Sequence, residues 1–230
     1  MKFLVRSITA ILIACSLVGA VNAQTPAEDR QRARQTSETF SNMSPAERRQ
    51  VELASKEMGR VLAEVAAARN ALSKDFEALN LPEVLSPQFR KLDANGALTD
   101  ARLKRGRALV RRGQAEQIQQ DAALMHAITS SALPEHLKTY YLKTQSKLVA
   151  ESQATRERQW SLQLESFASI ERCVKLLTVA RWEIQSGQYA FASNADLQAF
   201  RQEVQHLEEL SIEGRRLEAG QQRRVNDLTQ

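Results

Sequence analysis

Apolar residues recur at every seventh position between Val51 and Leu79, and this spacing limits the fold more than any other feature of the sequence. The line is Val51, Met58, Val65, Leu72 and Leu79, with Ala54, Val61 and Ala68 between its members. A seven-residue repeat places apolar side chains on one side of an α-helix, where another helix can cover them. The stretch therefore predicts a long helix with coiled-coil character, and its alanines allow a neighbouring helix to approach closely.

Start and stop signals bound this helix and the next one. Ser44-Pro45-Ala46-Glu47 supplies an N-cap, a proline at the first helical position and the glutamate of a capping box. The helix is expected to end at the Asn80-Leu81-Pro82 break, and a short turn to close at Asn95-Gly96 in a left-handed cap. A second helix is predicted from Thr99. Its predicted buried line is Leu103, Val110, Ile118, Met125 and Ile128.

The third helical segment follows Pro134 and meets no breaker residue before Gly187. Its apolar stripe is clear at both ends and includes Ile184, but residues 151–159 are polar on every side. The segment is therefore either one helix that projects past its partners there or two helices. Residues 188–193 are expected to form a connector to a last helix. Four aromatic side chains are predicted to staple this connection: Trp182, Tyr189, Phe191 and Phe200.

The composition favours helices throughout. The 230 residues include only 8 Gly and 5 Pro, and 5% are aromatic, whereas the strong helix formers are abundant. We identify no window with the alternation that a sheet needs. The predicted fold is all-α, an elongated antiparallel helical bundle of about four long helices in a single domain at residues 44–230. Residues 24–43 are polar without an apolar stripe and are expected to form a flexible lead-in.

The first 23 residues have the layout of a bacterial signal peptide. Lys2 and Arg6 precede an apolar run of roughly 14 residues, shorter than the roughly 20 that cross a bilayer. Small residues then precede a polar sequence, so cleavage is expected between Ala23 and Gln24. Loss of the two cations lowers the formal net charge from +5 to +3. This weak positive charge does not indicate nucleic acid as a partner, and the predicted location is the periplasm.

Cys15 offers a second way to process this signal. Leu12-Ile13-Ala14-Cys15 matches the lipobox, in which the cysteine is acylated and anchors the protein to a membrane. Residues 16–21 stay apolar, however, whereas a lipoprotein normally turns polar at once. Soluble export, lipidation on Cys15 and an uncleaved anchor are the three outcomes. The first two leave Cys173 as the sole free thiol, and its helical spacing predicts burial.

The sequence does not favour catalysis, a cofactor or a metal site. His126, His136 and His206 are far apart and lack the spacing of zinc ligands. We find no phosphate-binding loop or nucleophile motif. Asp93-Ala94-Asn95-Gly96 is similar to the start of a calcium loop, but the glycine is early and position twelve is Lys104. This segment is interpreted as a helix-ending turn, and the protein is predicted not to be an enzyme.

Cations are concentrated in the second predicted helix, with no acid between Asp100 and Glu116. They are Arg102, Lys104, Arg105, Arg107, Arg111 and Arg112. Because Leu103 and Val110 share one side of the helix, these cations cannot all point inward. One interpretation is a face for anionic lipid, lipopolysaccharide phosphates or an acidic protein. The other is a solvated face whose cations pair with Glu or Asp of a neighbouring helix.

Several features of layout occur together: the signal, the polar opening Met43-Ser44-Pro45-Ala46-Glu47-Arg48, proline-bounded helices, and Gly187 followed by Tyr189 and Phe191 before the last helix. In this layout the chain resembles an uncharacterised family of small helical envelope lipoproteins of Gram-negative bacteria. The resemblance implies a helical envelope protein and brings no activity. We expect a non-catalytic scaffold or binding module that acts through a protein partner or self-association. The alternative is a lipoprotein, acylated on Cys15, whose basic face contacts anionic envelope components.

Overall fold

The computed structural model describes residues 43–228, and helices dominate it. The helices are α1 (Pro45–Glu77), α2 (Leu81–Val84), α3 (Pro87–Leu92), α4 (Ala97–Ser130), α5 (Glu135–Val179) and α6 (Asn194–Leu228). An antiparallel hairpin of β1 (Trp182–Gln185) and β2 (Gln188–Phe191) precedes α6. The predicted all-α class is confirmed. The predicted signal, with Cys15, Ala23 and Gln24, and residues 24–42 of the predicted lead-in lie outside the described residues.

The first helix begins where the sequence predicts. The Ser44 hydroxyl accepts a hydrogen bond from the Glu47 N–H at 3.2 Å, and the Glu47 carboxylate accepts one from the Ser44 N–H at 2.9 Å. This reciprocal pair is the predicted capping box. The helix ends at Glu77, and Asn80 turns the chain with a φ of 45° before α2.

The described residues form two compact units. The first contains Arg69–Ala115 and residues 154–228, and the second contains residues 43–68 and Glu116–Gln153. The buried apolar residues of the second unit are Ala54, Val61, Val65, Ala127, Ile128 and Leu133. Val61 and Val65 belong to the predicted seven-residue repeat, so the protein's own residues cover the repeat at these positions.

Ile118 is an error in the predicted buried line of α4, because 72% of this residue is exposed. The inward position one heptad after Val110 is occupied by Gln117, which is half-buried. Ile118 follows it by one residue and is rotated by about 100 degrees around the helix. The apolar spacing of the sequence therefore misplaced the inward side of this turn.

Two glycines of α4 set the packing of the first unit. Gly106 faces Leu79, which follows α1, and Phe167 of α5. Gly113 faces Leu72 of α1 and Trp160 of α5. A Cβ added at Gly113 would lie 2.5 Å from the Trp160 ring, which is closer than side chains pack. From the contacts of Gly106 to those of Gly113, residue numbers rise by seven on α4 and fall by seven on both neighbouring segments. The contacts therefore run antiparallel, as predicted.

The last helix packs against α5 in the same antiparallel sense. Arg172 of α5 binds Glu203 at 2.6 Å, and Arg158 binds Glu213 at 2.7 Å. Arg158 also contacts Glu165 within α5 at 2.5 Å. The two contacts of Arg158 neutralise one charge of the polar stretch at residues 151–159, which left the number of helices open. The structure answers that question, because α5 is one continuous helix.

The segment after α5 is a β-hairpin, which was not predicted. Its two-residue loop, Ser186-Gly187, has φ angles of 50° and 76°. Positive φ at both loop positions is typical of a type I′ turn, whose twist matches that of two paired strands. Ile184 therefore lies in a strand and not in a helical stripe, and the predicted connector at residues 188–193 contains β2. The third predicted helix corresponds to α5, which ends at Val179, before the predicted stop at Gly187.

The predicted aromatic staple is confirmed at this hairpin. The Tyr189 ring lies 4.9 Å from that of Trp182 and 5.4 Å from that of Phe200, both edge to face. The Phe191 ring lies 5.5 Å from that of Phe200. The Tyr189 hydroxyl also donates a hydrogen bond to the Leu85 carbonyl at 3.2 Å. These contacts attach the hairpin to the core of the first unit.

Asp93 is a buried cap at the start of α4, consistent with the predicted turn and not with an open calcium loop. Only 2% of this residue is exposed, and its carboxylate accepts hydrogen bonds from the Leu98 and Thr99 N–H groups at 2.9 Å. The Arg90 guanidinium and the Thr99 hydroxyl donate to the same carboxylate at 2.9 and 2.6 Å. Gly96 supplies the predicted left-handed conformation with a φ of 80°. The helix starts two residues earlier than predicted.

Candidate partner-binding face

All six predicted cations lie on α4, which buries one side and exposes the other. The buried side is formed by Leu103, Gly106, Val110 and Gly113. The opposite side is centred on Ala108, and we call the arc within about 60 degrees of Ala108 the outward face. In the first unit this face consists of Ala97, Ala101, Lys104, Arg105, Ala108, Arg111, Arg112 and Ala115, all of which are exposed. Arg102 and Arg107 lie on its flanks.

Two cations pair with acids on the helices that adjoin α4. Arg107 binds Glu171 of α5 at 2.6 Å, and Arg112 binds Asp75 of α1 at 2.7 Å. The hydrogen bond from Arg107, with a second from Lys175, holds the pKa of Glu171 below its ordinary value of 4.5. Both pairs are partly exposed, so each contributes at most about 1 kcal/mol to stability. Their geometric effect is to fix how α4 is rotated between its neighbours.

Arg102 is held by three contacts on the other flank. Its guanidinium binds the Glu83 carboxylate at 3.1 Å and the Asn80 carbonyl at 3.2 Å. It also lies 4.5 Å from the centre of the Phe89 ring, a cation–π distance. Arg102, Arg107 and Arg112 thus follow the predicted pairing with neighbouring acids.

The remaining three cations differ from these. Lys104, Arg105 and Arg111 are exposed, and none has an ion pair with a residue in the part of the chain that the structure describes. We call these three residues the cationic strip. Between them lie three exposed alanines at seven-residue spacing, the alanine line: Ala101, Ala108 and Ala115. This line was not among the predicted features, although the helical spacing that indicates the buried side of α4 also indicates it.

The cationic strip is suited to binding carboxylates or phosphates. An arginine guanidinium presents a planar fork of donors that fits either group, and the lysine adds a mobile point charge. The three charges lie within about two turns, so their fields add over a distance of roughly 8 Å in physiological salt. Because the alanine side chains are short, a flat partner can reach the cations without a steric barrier.

A cleft of about 260 Å³ lies beside the start of α4 in the first unit. Its floor includes the buried Leu103 and Val174, and its rim carries Asp100, Glu171 and Lys175. Lys175 binds Glu171 at 3.1 Å. The charge at that rim is therefore partly balanced by the protein itself.

Among the side chains that the structure describes, no group of three His, Cys, Asp or Glu residues could hold a metal ion. Cys173 is fully buried, as predicted. Burial, aided by the nearby Glu203 carboxylate, raises the pKa of its thiol to about 12. A thiol that stays protonated in an apolar environment is a poor nucleophile.

Within residues 43–228, no helix is both long and apolar enough to cross a membrane. No known protein family, curated protein or solved structure matches the chain.

Proposed function

We propose that the protein is an exported, non-catalytic binding module of the bacterial cell envelope that acts through contact with a partner protein or a second copy. The observation that carries this proposal is the cationic strip. Lys104, Arg105 and Arg111 keep a charge that no acid among the side chains the structure describes neutralises. An acidic partner can supply the missing charge, which favours association and its rate. The signal layout of residues 1–23 supports export.

The surroundings of the strip also support a binding role. Gly106 and Gly113 bring α4 close to its neighbours, and the paired Arg107 and Arg112 restrict its rotation. The strip therefore projects from a rigid helix and not from a mobile loop. A preorganised surface loses little conformational entropy when it binds.

The experiment is a cross-linked pull-down from the envelope fraction with the wild-type chain and with the double variant Arg105→Glu/Arg111→Glu. Both arginines are exposed, so the variant is expected to fold normally. Reversal of two charges turns attraction for an acidic partner into repulsion. We expect a partner that is cross-linked to the wild-type chain and lost from the variant.

A matched control keeps the same change of net charge but places it elsewhere. Arg201 and Arg216 of α6 are exposed and have no ion pair with the residues described. The double variant Arg201→Glu/Arg216→Glu should retain the partner. Equal recovery of the partner by all three proteins would rule out the cationic strip as the binding surface.

The second candidate is a lipoprotein that is acylated on Cys15 and contacts anionic envelope components through the same strip. The lipobox match Leu12-Ile13-Ala14-Cys15 favours it. Intact mass of the exported protein separates the candidates, since an N-terminus at Gln24 excludes the acyl anchor and a triacylated Cys15 excludes soluble export. Flotation with anionic vesicles tests the lipid contact, which Arg105→Glu/Arg111→Glu should abolish.

A further inference from the structure

We infer that the outward face of α4 receives an acidic α-helix of a partner protein, laid along the alanine line with its carboxylates against the cationic strip. This inference rests on the proposed function, because it names the chemistry of the partner at the same surface. It makes no use of the lipid anchor.

The alanine line indicates a helix as the partner. Ala101, Ala108 and Ala115 recur every seven residues, the spacing with which one helix meets another along a shared axis. Single-carbon side chains allow the backbones of two helices to approach closely. A membrane-surface helix would instead present large apolar side chains on its bound face. The outward face within the first unit has none.

The positions of the cations indicate that the partner is acidic on both of its edges. Lys104 and Arg111 lie on one side of the alanine line, and Arg105 lies on the other. Arg112 accompanies Arg105 but is already bound to Asp75. A helix seated on the line therefore meets free positive charge along both edges, which is the arrangement that selects partners in paired helices through flanking charges.

The test measures how tightly the full chain binds two synthetic peptides. Both consist of alanine and glutamate, and one of them also contains proline. One peptide repeats alanine every seventh residue with flanking glutamates, and the other has the same charge but carries central prolines that prevent a helix. We expect the helical peptide to bind at least about tenfold more tightly than the proline peptide. Arg105→Glu/Arg111→Glu should abolish binding of both peptides, whereas Arg201→Glu/Arg216→Glu should not change it.

A second substitution separates helix docking from general charge attraction. Ala108→Trp keeps every charge but blocks close approach, so affinity for the helical peptide should fall about tenfold. Ala219→Trp, at an exposed alanine of α6, is the matched control and should have no effect.

Three results would overturn the inference: equal binding of the two peptides, unchanged binding by Ala108→Trp, or binding only to phosphatidylglycerol vesicles. The proposed function fails separately, if the pull-down partner is retained by Arg105→Glu/Arg111→Glu. A partner that is lost from that variant but retained by Ala108→Trp would leave the proposed function intact and remove the docked helix.

Discussion

Gly113 shows how much a single absent side chain matters in the first unit. Replacement by alanine adds a Cβ only 2.5 Å from the Trp160 ring and 2.8 Å from Leu72. Although alanine favours a helix, the overpacking dominates, and we expect Gly113→Ala to be about 1–3 kcal/mol less stable. Urea denaturation measures this difference. Gly59→Ala in α1, where nothing lies within 4 Å, should instead gain about 0.5–1 kcal/mol, and a gain in both variants would refute the close contact.

Asp93 should make stability depend on pH. Burial alone raises the pKa of this carboxyl, but hydrogen bonds from Thr99, Leu98 and Arg90 outweigh it and hold the pKa below 3.8. Its stabilising effect is therefore fully present above the unfolded pKa of about 3.9 and is lost as the pH falls from there through the lower pKa of the folded state. Asp93→Asn should be about 3–5 kcal/mol less stable near neutral pH, because it leaves Arg90 buried without an ionic partner.

The measurement is urea denaturation of wild type and Asp93→Asn near neutral pH and at about pH 3. Because only the wild type loses this ionised group, the gap in unfolding free energy should narrow in acid. A gap that is the same at both pH values would show that Asp93 acts through its shape and not through its charge.

Single residues were predictable where the interaction is local. The Ser44 and Glu47 capping box spans three positions, and its pattern is visible in the sequence. The ion pair between Arg107 and Glu171 joins residues 64 positions apart. The division of the six cations into paired and free ones depends on such distant contacts, so a sequence without a structure could not provide it.

At the scale of elements, the long helices were predictable where the apolar pattern repeats over several turns, whereas the polar residues 151–159 left open whether α5 is one helix or two. The hairpin was missed because each strand has only four residues, too short for the alternation to stand out beside α5. A signal was present nonetheless. Trp182 and Ile184 alternate with polar residues, Tyr189 and Phe191 alternate with Gln188 and Ala190 in the next strand, and Ser-Gly separates the two strands. Attention to this dipeptide would have predicted the turn.

The loop of the hairpin gives a test at this scale. Gly187 has a φ of 76°, a conformation that a β-branched residue adopts only with strain. We expect Gly187→Val to lower the unfolding free energy by about 1–2 kcal/mol, measured by thermal or urea denaturation. Ser186→Asn should be neutral or slightly stabilising, because asparagine tolerates the φ of 50° at this position. Loss of stability in both variants would contradict the assigned turn.

At the scale of the whole molecule, Cys173 reports on global opening. The thiol is fully buried and has its pKa raised to about 12, so it should resist a maleimide reagent in the native protein and react fully in urea. Peptide mass spectrometry locates the label, and Gly113→Ala should react faster than wild type because it opens more often. Rapid labelling of native wild-type protein at Cys173 would contradict the packed core, and Cys173→Ser provides the blank.

The two sides of α4 have different tolerance to mutation. On the side of Gly106 and Gly113, an added methyl group collides with an aromatic ring, so substitutions there destabilise the fold. On the side of Lys104, Arg105 and Arg111, a change of charge touches no packed atom of the described residues. Residues that form a strained or buried functional site normally lower the stability of the protein while they support its activity. On α4 these two requirements fall on opposite sides, so the charge of the outward face can change while the fold stays the same.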